Sequence, residues 1–99
     1  MSDKYILRGH DIVNVDLDTW AKWFEENHNN RHVANQEVNG ARVSTVFLGI
    51  DHSFGYGPPQ IFETMVFGGP LDQEQDRCFT WEQAEAMHQR MVERVVAGK

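Results

Sequence analysis

Two short stretches of the chain place an imidazole beside a carboxylate: Gly9-His10-Asp11 and Asp51-His52. If their loops met at one end of a sheet, His10, Asp11, Asp51 and His52 could hold a divalent cation, or form a His–carboxylate pair for general-base work. The competing role is turn chemistry, because Asp side chains bond nearby backbone amides where strands end. The sequence favours the turn. His28 and His32, in "HNNRH", have the i, i+4 spacing that puts two ligands on one helical face. A zinc-protease helix needs Glu beside the first His, and Asn29 stands there instead. No anchored metal set results, and no cofactor is expected.

The other reactive side chains read as structural. His88 falls on the apolar stripe of the C-terminal helix, where a lone imidazole is expected in the core, bonded to a polar neighbour. Cys78 has no Cys or His partner nearby in the sequence and is expected as a buried thiol. Glu63 alternates with Phe62 and Thr64. On a buried face it would need a cation such as Arg42, Arg31 or a His; on an open face it would make a cross-strand pair. "GYGPP" is no phosphate cradle, since prolines remove two amide donors and a strand follows where a helix would be required. Phe54 and Tyr56 lie at the tip of this Gly- and Pro-rich segment and are candidate partner-binding anchors, the alternative being that they fold back as a lid over the core edge. With Asp51 and His52 at the loop root, and Asp72, Glu74 and Asp76 in a second, acidic loop, they make up the expected contact surface.

The 99 residues suit one domain, and 40% hydrophobic residues with three Trp and six Phe supply a core. Nine basic and fifteen acidic residues give a net charge of −6, which argues against direct binding to a phosphate backbone. Such a surface could meet a basic protein face, or simply keep the chain soluble. No apolar run approaches the roughly 20 residues of a membrane span. One cysteine and no secretory leader favour a cytosolic setting.

These residues must be positioned by a small set of elements. Strands are expected at Tyr5–Leu7 and Ile12–Val15 around a turn at Gly9–Asp11. A helix follows, capped by Asp16, with Trp20, Trp23 and Phe24 as its buried stripe and Asn27, Asn29 and Asn30 at its end. Asn39-Gly40 predicts a type I′ hairpin with arms His32–Val38 and Ala41–Ile50. Another strand spans Ile61–Phe67, Gly68-Gly69-Pro70 stops it, and "LDQEQDR" reads as a solvated loop. Thr80 and Gln83 form a capping box for the last helix, whose stripe is Trp81, Ala84, Met87, His88, Met91 and Val95. The order is β-β-α-β-β-β-α, with room for a short strand at Arg77–Phe79. The expected fold is α+β, a single antiparallel sheet of about five strands with two helices on one face.

From Val43 to about Val95 the chain resembles a family of small uncharacterised proteins common in tailed-phage genomes and prophage regions. The shared pattern is "VSTVFLG-DH-F--GPP--FETMVFGG", a polar loop, then "TW-EAE--H--MV"; the "TWAKWFE" helix also fits. The resemblance brings no catalytic residues. It implies a phage or prophage setting in the bacterial cytoplasm, where small accessory proteins modulate host machinery or defence. The expected activity is contact with a host or phage protein, one version being inhibition of a host nucleic-acid-binding system. The alternatives are a metal-binding protein or metal-dependent enzyme built on His10, Asp11, Asp51 and His52, and a minor virion or assembly protein.

Overall fold

The computed structural model describes residues 3–98. Its element order is β1 (Lys4–Arg8), β2 (Asp11–Val15), α1 (Leu17–Asn27), β3 (His32–Val38), β4 (Ala41–Phe47), β5 (Phe62–Phe67), β6 (Gln75–Cys78) and α2 (Trp81–Ala97). No described helix is long and apolar enough to cross a membrane.

The class is α+β, but the strands divide into two antiparallel sheets: β1-β2, and a four-stranded sheet in the order β3-β4-β5-β6. The N-terminal hairpin does not join the main sheet as expected. Its backbone meets the segment after β4 instead, through the isolated bridge Lys4 to Ile50, Tyr5 N donating to Gly49 O at 2.8 Å and Asp51 N to Asp3 O at 3.0 Å, while Tyr5, Leu7 and Ile12 pack on the Phe47 cluster. The cause lies at Gly49, where φ of +75° turns the chain and ends β4 at Phe47 rather than Ile50. A Cβ at Gly49 would lie 2.3 Å from the Phe24 ring, and Trp20 Nε1 donates to Gly49 O at 3.1 Å, so only glycine lets α1 close on this corner.

The fourth strand of the main sheet comes from the polar segment expected to be loop. Residues Gln75 to Cys78 pair with Met65 to Phe62, two residues earlier than the Arg77–Phe79 strand that the sequence allows. An edge strand buries little side chain, so it carries little hydrophobic signal. Other local signals hold. Asn39 and Gly40 take φ of 50° and 83° in the β3-β4 turn, Asp16 Oδ1 accepts from Thr19 N at 2.8 Å, and Thr80 and Gln83 make the reciprocal capping box.

Only α2 lies across the four-stranded sheet; α1 leans on β1 and reaches the sheet corner through aromatic rings. Trp23 meets Phe47 edge-on at 5.6 Å between centroids, and Phe24 stacks on it at 6.4 Å. The register pairs Val43 with Val66, Thr45 with Thr64 and Phe47 with Phe62 on the α2 side, all fully buried. Two apolar clusters result. Val43, Val66, Met91, Val92 and Val95 form one, and Phe47, Ile61, Phe62, Ala84 and Met87 form the other.

Candidate functional site: the Asp51–Gln60 loop

The segment between β4 and β5 leaves and rejoins the sheet at adjacent points, with Leu48 N donating to Ile61 O at 2.7 Å and His52 N to Gln60 O at 3.1 Å. Asp51 clasps this root. Its Oδ1 accepts from Ser53 N at 2.7 Å and Gln60 N at 3.0 Å, and its Oδ2 accepts from Ser53 Oγ at 2.9 Å. Its own amide donates to Asp3 O at 3.0 Å, which ties the loop to the N-terminal hairpin. Burial works to raise the Asp51 pKa, but the bonds from Gln60 and Ser53, with the charge of His52, outweigh it. The carboxyl therefore titrates below the ordinary carboxylate value. Ser53, only 8% exposed, is the inward end of the clasp.

Beyond Ser53 the chain turns outward. Phe54, Gly55 and Gly57 all take positive φ, 55°, 84° and 73°, and Tyr56 N closes a turn on Ser53 O at 3.1 Å. A left-handed conformation is ordinary for glycine and strained for phenylalanine. Phe54 is 86% exposed and Tyr56 84%, so neither ring folds back as a lid over the core edge. Pro58 and Pro59 bring the chain back to the sheet. They form one wall of an open cleft of about 510 Å³ whose other walls include Arg77, Phe79, Gln83 and Arg90.

The two His–Asp stretches do not meet. Asp51 lies beside Asp3 at one end of β1, whereas at the far end His10 lies in the β1-β2 turn and Asp11 opens β2 opposite Arg8. The strand between them is about 13 Å long at the usual rise per residue. His10 instead stacks on Trp81, with ring centroids 3.8 Å apart and planes 10° from parallel. His28 follows the last residue of α1 and His32 opens β3, so that pair shares no helical face. Among the described residues no group of three or more His, Cys, Asp or Glu could hold a metal ion.

The acidic loop lies at the opposite end of β5 from the aromatic one, about 17 Å along the strand. Its carboxylates have local bonds. Asp72 Oδ1 accepts from Gly68 N at 2.7 Å, Glu74 pairs with Arg94 at 2.9 Å, and Asp76 Oδ1 accepts from Arg77 N at 2.9 Å. Glu63 lies on the sheet face away from α2 and pairs across strands with Arg77 at 2.9 Å, not with Arg42, Arg31 or a His. Arg42 covers Phe67, and Arg31 donates to Phe47 O at 2.9 Å. Burial pushes the Cys78 thiol up to about 11, Asp76 adding and Arg90 opposing. It is a protonated thiol at neutral pH, not a nucleophile.

One constellation escaped the sequence reading. Thr45 Oγ1 lies 2.5 Å from Thr64 Oγ1 and 2.7 Å from His88 Nδ1, and His88 Nε2 lies 2.9 Å from Gln36 Oε1. The helical stripe predicts a buried imidazole, but its partners sit far away in the sequence. The available signal was a threonine at the centre of the inward face of each of two otherwise apolar strands. Compared with known proteins, the chain matches no family model, no curated protein and no solved structure.

Proposed function

We propose that this chain is a small phage or prophage accessory protein that works by protein–protein contact, with the Asp51–Gln60 loop as its contact element. The observation that carries the reading is the pairing of a locked root with two aromatic rings held in water, 86% and 84% exposed. Aromatic rings dominate binding hot spots, and a loop already ordered loses little conformational entropy when it docks. The positive φ at Phe54 adds to this, because a ring that costs backbone strain and packs on little of its own chain gives the fold little in return. The phage or prophage setting rests on the Val43–Val95 sequence pattern.

The partner is a host or phage protein in the bacterial cytoplasm, and the net charge of −6 favours one with a basic surface over nucleic acid itself. Asp72 and Glu74, beyond the other end of β5, with Asp76 on β6 opposite Thr64, offer a second, electrostatic contact to a partner large enough to span the sheet. The test compares wild type with a Phe54→Ala/Tyr56→Ala double variant in pull-downs from host lysate. The variant is expected to keep the thermal midpoint and lose the captured partner. An unchanged set of partners would remove the loop from the interface.

A further inference from the structure

The buried chain Thr64–Thr45–His88–Gln36 has a definite polarity. Gln36 Oε1 can only accept, so His88 Nε2 must carry a hydrogen and donate to it. In a neutral imidazole Nδ1 is then an acceptor, and it takes its hydrogen from Thr45. With its own hydrogen committed, Thr45 accepts from Thr64. Every polar group along the chain is satisfied in this one direction, and both threonines are fully buried while His88 is 4% exposed.

A second proton on the ring turns Nδ1 into a donor. Thr45 must then accept from it, and whichever way the two threonines bond to each other, one hydroxyl hydrogen is left over in a fully buried site. The new positive charge also finds no counter-charge. His32 and Glu37 on β3, Arg42 on β4, Glu63 on β5 and Arg77 on β6 all belong to the opposite sheet face. On the α2 side the titratable strand residues are Asp76 and Cys78 of edge strand β6; Asp76 is exposed, and Cys78 is held protonated. On α2 itself, Glu85 and Arg90 flank His88 from exposed positions.

We propose that His88 is an acid-sensitive strut, whose protonation leaves this hydrogen-bond chain unsatisfied and parts α2 from the edge strand β3. Gln36 is the one member of the chain on an exposed residue, so the shortest way for water to reach a charged imidazole runs between β3 and α2. Burial already holds the imidazole below its ordinary pKa, which has the same sense. Because the folded pKa is depressed, the strut is fully effective above the ordinary imidazole value of about 6.5 and weakens as pH falls below it.

Nitrogen-15 NMR of the whole chain between pH 8 and 5 reads the ring directly. At pH 7.5 His88 is expected as the neutral Nε2–H tautomer, and its titration midpoint is expected below 6.5. Amide protection in β3 and α2 should then fall about tenfold for each unit of depression spanned, while a His88→Gln variant shows no such pH dependence. An Nδ1–H tautomer at pH 7.5 would overturn the proposal, and so would titration at or above 6.5 with protection unchanged. The wild-type readings decide the matter even if the variant fails to fold, whereas a variant that loses protection with the same pH profile would also overturn it.

Discussion

The Asp51–Gln60 loop and the sheet–helix interface invert the usual partition of side chains in opposite ways. The loop puts two aromatic rings into water, and the interface puts an imidazole and two hydroxyls where water is excluded. Each exception is secured by a short hydrogen-bond set, but of different character. The loop's clasp is a charged carboxylate taking three donors, and its strength comes from being ionised. The interface chain is neutral, and its strength depends on remaining so. A polar network at the surface can exploit charge because solvent shares the cost. One in the core must be satisfied without it.

Removing the buried imbalance should have the largest effect. His88→Ala leaves a cavity and an unpartnered buried hydroxyl on Thr45, and is expected to lower stability by about 3–4 kcal/mol in urea unfolding. Replacing the whole chain with apolar groups of similar shape, Thr45→Val/Thr64→Val/His88→Leu, should recover most of that loss, because no buried group is then left unpaired. A triple variant as unstable as His88→Ala would show that shape, not hydrogen bonding, governs the site.

Asp51→Ala removes the clasp and is expected to cost about 1–2 kcal/mol, with loss of amide protection concentrated at Ser53 and Gln60. Sensitivity to acid should separate the two regions further. The Asp51 pKa is depressed, so its contribution stands above the ordinary carboxylate range near 4 and fades as pH falls through the lower folded value. That of His88 begins to fade from about 6.5. Stability should thus fall in two steps, with the upper one absent from the apolar triple variant and the lower one reduced in Asp51→Ala. The smallest expected effect is at Phe54. Phe54→Gly relieves the left-handed strain and should leave the thermal midpoint unchanged or raise it, by no more than about 1 kcal/mol in stability. Such a neutral result beside lost partner capture would sharpen the division between a tip made for contact and a core made for folding.

Local signals carried both helices and the strands β1 to β5 into view before any coordinates. Asp16, Asn39-Gly40 and the Thr80–Gln83 box act through bonds to residues close in the chain, so their meaning does not depend on the rest of the fold. The loop was visible for a related reason: its glycines, prolines and Asp51 describe a stiff turn by composition alone. Two sheets in place of one, and the start of β6 at Gln75 rather than Arg77, were not visible. Those outcomes depend on Gly49 meeting Phe24 and on a polar strand finding the edge of β5, and both are contacts between distant segments.

By itself the sequence determined the helix caps, the hairpin turn and the apolar stripe of α2, because each is written in neighbouring residues, whereas Trp20, Trp23 and Phe24 of α1 are only half-buried. Only the tertiary structure decided that the His10–Asp11 and Asp51–His52 pairs stay at opposite ends of β1, and that Glu63 faces away from the helix toward Arg77. It also placed Thr45, Thr64, Gln36 and His88 in one hydrogen-bonded chain. Pairing register sets the meetings within the sheet, and a one-residue slip would carry Gln36, Thr45, Thr64 and Glu63 to the other face.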